Sequence, residues 1–417
     1  MAFRIKALSA MEIVDSRSRP TLQVSARLEG GAVGDAGVPS GESIGPHEAV
    51  PLRDGDPDRF EGNGVLQACS HVEGPISAAL LDRTWETLAE VDAALCDLDP
   101  APDKSGLGAN AVVGVSTALA RALATEAGTP LFSWLPGVGS PRRLPVPAFV
   151  VMEGGRHADS PQAFQDFMIC PVGARTMTEA LQAGADVYAA LKQRLALHAQ
   201  SSATGDQGGF AATLATPELA IRQVIGAITD AGYPAGPDGI VVSLDVAAGQ
   251  FRQPDGTYLV NDECLTSGDM VARYVELVEA YPVWGLEDPL AEQDEAGWRA
   301  LVDQIGERVR LVGDEIFGTK AALIRTRADL ATAALLAPTQ VGTITQTLEA
   351  VSACREAGLA TVVSDRCGET MDSFIVDLAV ACGADQIRAG SPGRRESIAK
   401  YNRLADIAAA DPSLRMD

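Results

Sequence analysis

The sequence predicts an α/β protein in which a β/α barrel follows an N-terminal α+β domain. Its 417 residues exceed the size, about 250–300 residues, at which a single hydrophobic core stops growing. Beyond residue 147, short apolar runs alternate with helical patterns, and this rhythm is typical of βα units. So many units in succession favour a closed barrel over an open sheet.

The first 140 or so residues combine strand and helix patterns. Alternating apolar and polar residues over 21–26 predict a strand, and an Ala/Leu-rich stretch from about Asn110 to Ala127 predicts a long helix. The segment LPGVGSPRRLPVP, residues 135–147, concentrates proline and glycine and predicts a domain boundary. We therefore expect an α+β domain over residues 1–138 and a barrel over residues 139–417.

Six apolar runs are predicted to form barrel strands: IVVSLDV (240–246), VWGLEDP (283–289), RLVGDEI (310–316), AALLAPT (333–339), ATVVSDR (360–366) and QIRAGS (386–391). Three of them end in or near a carboxylate, Asp245, Glu287 and Asp314. Because the C-terminal ends of parallel barrel strands share one rim, these acids are expected to converge. Converging carboxylates repel unless a cation lies between them, and oxygen ligands favour Mg²⁺ over zinc. Each acid taken singly is also consistent with a polar strand end beside a loop.

Charge and hydropathy exclude several classes of partner. The chain carries 33 Lys+Arg against 56 Asp+Glu, a net charge of −23, which repels a nucleic-acid backbone. No run approaches about 18 apolar residues, and the N-terminus lacks the apolar segment of a secretory signal. We expect a cytoplasmic protein that binds neither nucleic acid nor membrane.

Cysteine, lysine and glycine usage narrows the chemistry further. The seven cysteines are scattered without a C-x-x-C pair, which argues against a disulfide framework and a structural zinc site. There are only five lysines, so a mechanism that needs a lysine has few candidates. The glycine-rich segments 37–49 and 205–210 do not fit the dinucleotide or Walker patterns, and a nucleotide-binding fold is not indicated.

Longer motifs extend along nearly the whole chain: DSRSRPTLQV (15–24), VPSGESIGPHEA (38–49), KSGLGANAVVGVS (104–116), LPVPAFVVMEGGRHA (144–158), GDQGGFA (205–211), LEDPLAEQD (286–294), VGDEIF (312–317), SDRCGET (364–370) and AKYNRL (399–404). In order and spacing they resemble the enolase family. The resemblance implies an enolase-type barrel with an N-terminal capping domain, usually a homodimer. It also implies two Mg²⁺ ions per active site and a small anionic substrate of the 2-phosphoglycerate or phosphoenolpyruvate type.

One group of residues keeps the family's motifs. The resemblance implies that the tighter Mg²⁺ is held by Asp245, Glu287 and Asp314, and that Ser43 helps to hold the second. His157, Gln165 and Arg366 match positions that contact the substrate. The apparatus that holds an anionic substrate on magnesium is thus expected to be intact.

A second group is changed, and it contains the family's proton-transfer residues. The lysine base of the sixth barrel strand is replaced by Ala337, and the glutamate of the G-D-E-G-G motif by the amide Gln207. The remaining changes are an aspartate for glutamate, an aspartate for histidine, a cysteine for serine and an arginine for lysine, at Asp166, Asp365, Cys367 and Arg388. We expect His157, Asp166, Gln207 and Asp365 to carry the remaining catalytic roles.

These changes predict a reaction at phosphorus rather than at carbon. A positioned general base or acid contributes about 10²–10⁴-fold, so losing both nearly abolishes the dehydration of 2-phosphoglycerate. Magnesium-assisted transfer at phosphorus needs positioning and charge neutralisation instead. The pattern is similar to the carboxyphosphonoenolpyruvate synthases of phosphonate antibiotic biosynthesis, enolase relatives that join a phosphonoformyl group, delivered as its CMP derivative, to a three-carbon enolpyruvate or glycerate unit. Cys367 and Arg388 would then accommodate the carboxyphosphonate.

Two alternatives remain open at this point. The first is an ordinary enolase, a phosphopyruvate hydratase, in which Lys320 or Asp365 replaces the missing base. The second is a non-catalytic enolase-like binding protein. Retention of the metal ligands favours catalysis, because a protein without a reaction would have lost them as freely as the base.

Overall fold

The computed structural model describes residues 2–41, 45–138, 142–158, 160 and 162–416. The N-terminal part contains a four-stranded antiparallel sheet in the order β3-β2-β1-β4, made of β1 (Phe3–Val14), β2 (Pro20–Leu28), β3 (Val33–Gly37) and β4 (Thr84–Trp85). Its helices are α1 (Leu66–His71), α2 (Ser77–Leu80), α3 (Leu88–Leu98), α4 (Ala109–Glu126) and α5 (Leu131–Trp134).

The long helix α4 packs directly on the sheet. A Cβ at Gly114 would lie 2.6 Å from Val24 Cγ2, and a Cβ at Gly34 would lie 2.2 Å from the carbonyl oxygen of Ala118. Only glycine allows so close an approach of helix and sheet. The strand predicted over 21–26 is confirmed by β2, and the helix predicted over 110–127 is confirmed by α4 with a shift of one residue at each end.

The second part is a closed eight-stranded barrel in the order β10-β11-β12-β13-β14-β5-β6-β7. The six predicted runs form β7 (Val241–Asp245), β10 (Val283–Glu287), β11 (Arg310–Gly313), β12 (Ala333–Leu336), β13 (Ala360–Ser364) and β14 (Gln386–Arg388). The other two strands are β5 (Val146–Glu153) and β6 (Asp166–Cys170), and a hairpin of β8 (Tyr258–Val260) and β9 (Glu263–Leu265) lies outside the barrel. The predicted fold class is confirmed.

One strand of the barrel, β6, is antiparallel to both of its neighbours, β5 and β7. A parallel neighbour needs a crossover connection that usually contains a helix. The connection between β5 and β6, residues 154–165, contains in its described part only a 3₁₀ turn at Gly155–His157. The chain therefore turns back, and the first residue of β6, Asp166, lies opposite Asp245 at the rim where the other strands end.

The barrel is surrounded by helices α6 (Met177–Leu197), α7 (Pro217–Asp230), α8 (Ser267–Ala280), α9 (Glu295–Ile305), α10 (Ala321–Arg327), α11 (Ile344–Ala357), α12 (Phe374–Cys382) and α13 (Arg395–Ala410). Four of them begin after a threonine whose hydroxyl accepts a hydrogen bond from the backbone N–H three residues later: Thr176, Thr216, Thr266 and Thr343. Such caps satisfy a donor that the first helical turn leaves unpaired. None of the helices in the described ranges combines the length and apolar character that a bilayer crossing requires.

Candidate active site

A cavity opens at the C-terminal rim of the barrel. Its lining consists of His157, Gln165, Gln207, Asp245, Glu287, Asp314, Leu335, Ser364, Asp365, Arg366, Cys367 and Arg388. Ten of the twelve residues singled out in the sequence are among them. Asp166 is not in the lining but contacts two lining residues, His157 and Arg388. Ser43 lies outside the described residues.

Three acids converge in this cavity, as the strand ends predict. Asp245 and Glu287 are the last residues of β7 and β10, and Asp314 follows β11 directly. Burial raises the pKa of Glu287 well above its usual range. The positive charge of Arg388 lowers this pKa, and the carboxylates of Asp245 and Asp314 raise it. Burial also raises the pKa of Asp314, although Gln340 Nε2 donates to its Oδ1 at 2.6 Å. The site is short of positive charge.

Arg388 supplies part of that charge. Its guanidinium donates from one terminal nitrogen to Asp245 Oδ2 at 3.0 Å and to Glu287 Oε1 at 2.7 Å, and from the other to Asp166 Oδ2. Its Nε has no hydrogen-bond partner in the described part of the chain. One arginine thus joins carboxylates from three barrel strands and is itself 4 % exposed.

The donor set fits a divalent cation. The three strand-end acids offer carboxylate oxygens, the hard ligands that Mg²⁺ prefers, and they are buried where uncompensated negative charge is costly. Arg388 pairs with Asp245 and Glu287 in the described contacts, whereas Asp314 accepts from an uncharged amide. Arg388 and a bound cation therefore compete for the same negative charge.

A second acidic cluster was missed from the sequence. Ligand atoms of Glu153, His157 and Asp166 lie within 4.8 Å of one another and could hold a metal ion. Burial and the nearby Asp166 raise the pKa of Glu153 to about 8, and its carboxyl accepts from the backbone N–H groups of Gln207 and Gly209 at 3.1 and 2.6 Å. A largely protonated acid is a weaker cation ligand. The signal in the sequence was again an apolar run ending in an acid, AFVVME.

His157 connects an acid to a thiol. Its Nδ1 lies 3.0 Å from Asp166 Oδ1, and its Nε2 lies 3.0 Å from Cys367 Sγ. Burial lowers the pKa of His157, but Asp166 and Cys367 raise it, and the net result is a pKa well above the usual range. The sequence predicted all three residues as site residues without indicating that they form a chain.

Asp365 is a buried acid that forms no direct ion pair with the residues that the structure describes. Its Oδ1 has no hydrogen-bond partner among the described residues. Burial and the neighbouring Glu369 raise its pKa to about 7, against the effect of Lys400 and Arg388. This carboxyl can hold or release a proton near neutral pH, which is the property of a general acid or base.

We expect Asp365→Asn to change how stability depends on pH. The native carboxyl keeps its proton up to about pH 7, whereas the unfolded one releases it near its ordinary pKa of about 3.9. The stability from this group is fully present below about pH 4 and is lost as pH rises through about 7, an effect of a few kcal/mol. Urea unfolding of the metal-free protein between pH 4 and 8 should show a smaller decline in the variant. Parallel curves for the two proteins would contradict the assignment.

Arg366 links the cavity to the N-terminal domain. Its guanidinium pairs with Glu48 Oε2 at 2.8 Å. Burial lowers the pKa of Arg366, but the carboxylates of Glu48 and Asp314 raise it, and the resulting pKa is above the usual value. A permanently charged guanidinium in the lining of the cavity suits an anionic ligand.

Neither position considered for the base that removes a proton from carbon, 337 or 320, places a lysine in the lining of the cavity. Ala337, just after β12, is 1 % exposed, and its backbone N–H donates to Thr319 Oγ1 at 2.9 Å. Lys320 does not line the cavity, and its charge interacts instead with Asp103 and Lys104 of the N-terminal part. Of the two replacement bases considered from the sequence, the structure brings only Asp365 to the site.

Two family models match the chain. Residues 5–135 match the model described as "Enolase, N-terminal domain", and residues 141–411 match the model described as "Enolase, C-terminal TIM barrel domain".

Proposed function

The chain belongs to the enolase family, and from this premise we propose that it is a Mg²⁺-dependent enzyme that transfers a phosphonoformyl group from its CMP derivative to a three-carbon enolpyruvate or glycerate acceptor. The family typically uses Mg²⁺, binds small phosphate substrates and is typically oligomeric. The proposal therefore keeps the family's cofactor and class of substrate and changes the bond that is made.

One observation carries the proposal. The residues proposed to hold an anion and a cation line one cavity. Ala337 and Gln207 stand where the resemblance places the family's proton-transfer residues. Neither an alanine side chain nor an amide accepts a proton at neutral pH. Transfer at phosphorus needs little proton chemistry and depends chiefly on positioning and charge neutralisation.

Separate residues would bind the metal ion, bind the anionic donor and accept the proton. Asp245, Glu287 and Asp314, with Ser43, would hold Mg²⁺, which when bound neutralises phosphoryl or phosphonyl oxygens and makes the phosphorus more electrophilic. Arg366 binds the anionic donor and keeps its position through the ion pair with Glu48. Asp365, whose pKa is raised to about 7 by burial, accepts the proton that an acceptor hydroxyl releases as its oxygen bonds to phosphorus.

A ³¹P NMR time course tests the proposal. The purified protein is incubated with Mg²⁺ and 2-phosphoglycerate or phosphoenolpyruvate, with and without CMP-phosphonoformate. We expect a new phosphonate resonance and release of CMP only when the nucleotide is present. Asp245→Asn and Glu287→Gln should each lower the rate at least about 100-fold, because a bound metal contributes several kcal/mol to such a reaction. Full activity in both variants would contradict the metal assignment.

An ordinary enolase reaction is the second candidate, and Asp365 favours it as a relocated base. Interconversion of 2-phosphoglycerate and phosphoenolpyruvate without the nucleotide would establish this alternative. No change in any mixture would reject both reactions and favour another donor or a binding role.

A further inference from the structure

We propose that Cys367 is a nucleophile, activated by His157 and Asp166, that carries the transferred group as a covalent intermediate. The three side chains form a chain of contacts in which the imidazole lies 3.0 Å from both the carboxylate and the sulfur. This is the arrangement by which a base, oriented by an acid, activates a nucleophile. Cys367 is also one of the residues that line the cavity.

A second side chain besides His157 contacts the sulfur of Cys367. Besides the imidazole, the side-chain amide of Gln207 donates from Nε2 to Cys367 Sγ at 3.7 Å. A glutamate at this position, as in the family's G-D-E-G-G motif, would place a carboxylate next to the sulfur and repel a thiolate. The replacements that put Gln207 and Cys367 here are therefore physically matched, because the amide donates to the sulfur where a carboxylate could not.

The cavity around the sulfur contains buried polar atoms that suit a polar ligand. Three of its buried side chains have polar atoms without a hydrogen-bond partner in the described ranges: Gln207 Oε1, Asp365 Oδ1 and Arg388 Nε. Their residues are between 4 and 7 % exposed. Buried polar groups are normally paired, so these atoms point to a ligand that completes them.

The covalent step balances without any additional reagent. His157 Nε2 takes the proton of the Cys367 thiol as the sulfur attacks the phosphonyl phosphorus. An S–P bond forms, and the P–O bond to CMP breaks with its electron pair leaving on CMP. The hydroxyl oxygen of a glycerate acceptor, or a phosphate oxygen of phosphoenolpyruvate, then attacks the same phosphorus, the S–P bond breaks, and the electron pair returns to sulfur. A proton released by an acceptor hydroxyl passes to Asp365. The identity of this donor rests on the proposed function, whereas the nucleophilic role of Cys367 does not.

Alkylation by iodoacetamide tests the nucleophile independently of any substrate. We expect His157→Gln, Asp166→Asn and Gln207→Glu each to slow modification of Cys367 at least about tenfold, since the thiolate is the reactive form. The exposed Cys264 provides an internal control whose rate should stay the same in every variant. Free phosphonoformate should protect Cys367 and not Cys264. An unchanged Cys367 rate in His157→Gln would overturn the proposal.

Trapping the intermediate tests the donor. The protein is mixed with CMP-phosphonoformate and Mg²⁺ without an acceptor, quenched and measured by intact-protein mass spectrometry. We expect a mass gain of one phosphonoformyl group on Cys367 in the native protein and in a Cys264→Ser control. Cys367→Ser should lose the adduct and at least about 100-fold of the transfer rate.

Two combinations of results distinguish the covalent role of Cys367 from the transferase reaction. Product formation that Cys367→Ser leaves unchanged would overturn the covalent route and leave the transferase reaction standing. Neither adduct nor product, together with alkylation of Cys367 that depends on His157, would reject the CMP donor and support the nucleophile.

Discussion

The native protein should not dehydrate 2-phosphoglycerate at a measurable enolase rate, and the double variant Ala337→Lys, Gln207→Glu should gain this activity. A missing base and a missing acid cost about 10²–10⁴-fold each, so the native rate should lie about 10⁴–10⁸-fold below that of a complete site. The gain in dehydration activity depends on the surroundings of position 337. It borders an apolar group of side chains that includes Val312, Leu335 and Val362.

The structure explains why a lysine at this position should work as a base. Burial among apolar side chains lowers the pKa of an introduced lysine. Ala337 and Arg366 both line a second cavity, distinct from the one described above, and the guanidinium of Arg366 lowers the pKa further. A base with a pKa close to the working pH is the most effective.

The measurement is the formation of phosphoenolpyruvate from 2-phosphoglycerate with Mg²⁺. Ala337→Met, with Gln207→Glu, is the matched control, because methionine has nearly the length of lysine and accepts no proton. Dehydration by the native protein at the rate of the lysine variant would show that another residue already acts as the base.

Replacing Arg388 by methionine should destabilise the metal-free protein by about 3–5 kcal/mol, because removing one partner of a buried ion pair leaves the other charge uncompensated. In this protein the carboxylates that lose their partner are Asp166, Asp245 and Glu287, all buried at the barrel rim. Mg²⁺ should recover much of the loss, since it would neutralise the same carboxylates.

Thermal unfolding with EDTA and with increasing Mg²⁺ measures both effects. The variant should unfold at a lower temperature than the native protein without metal and show the larger rise when Mg²⁺ is added. Arg299→Met is the control: Arg299 pairs with Asp329 at a position where both side chains are about half exposed, and its loss should change little. A variant that is destabilised equally with and without Mg²⁺ would argue against competition between Arg388 and the metal.

Much of this protein could be predicted from local patterns. A helix with a strong apolar composition such as α4 and strands such as β7 and β10 occur where their runs predict them, because burial on one or both faces selects the residue types along each element. Threonine caps begin four barrel helices through contacts that span only three residues. The acids at strand ends could be grouped because a barrel brings those ends to one rim.

The sequence by itself therefore indicated the two kinds of domain and most of the residues that line the cavity, and it showed that position 337 holds no lysine. Only the tertiary structure decided how those residues contact one another. Cys367 and His157 are 210 positions apart, and the guanidinium of Arg388 reaches acids 101, 143 and 222 positions away. Such contacts depend on barrel closure and on the reversed direction of β6, which places Asp166 at the rim. Sequence periodicity reports whether a residue is buried; the partner it meets there is set by the geometry of the closed barrel.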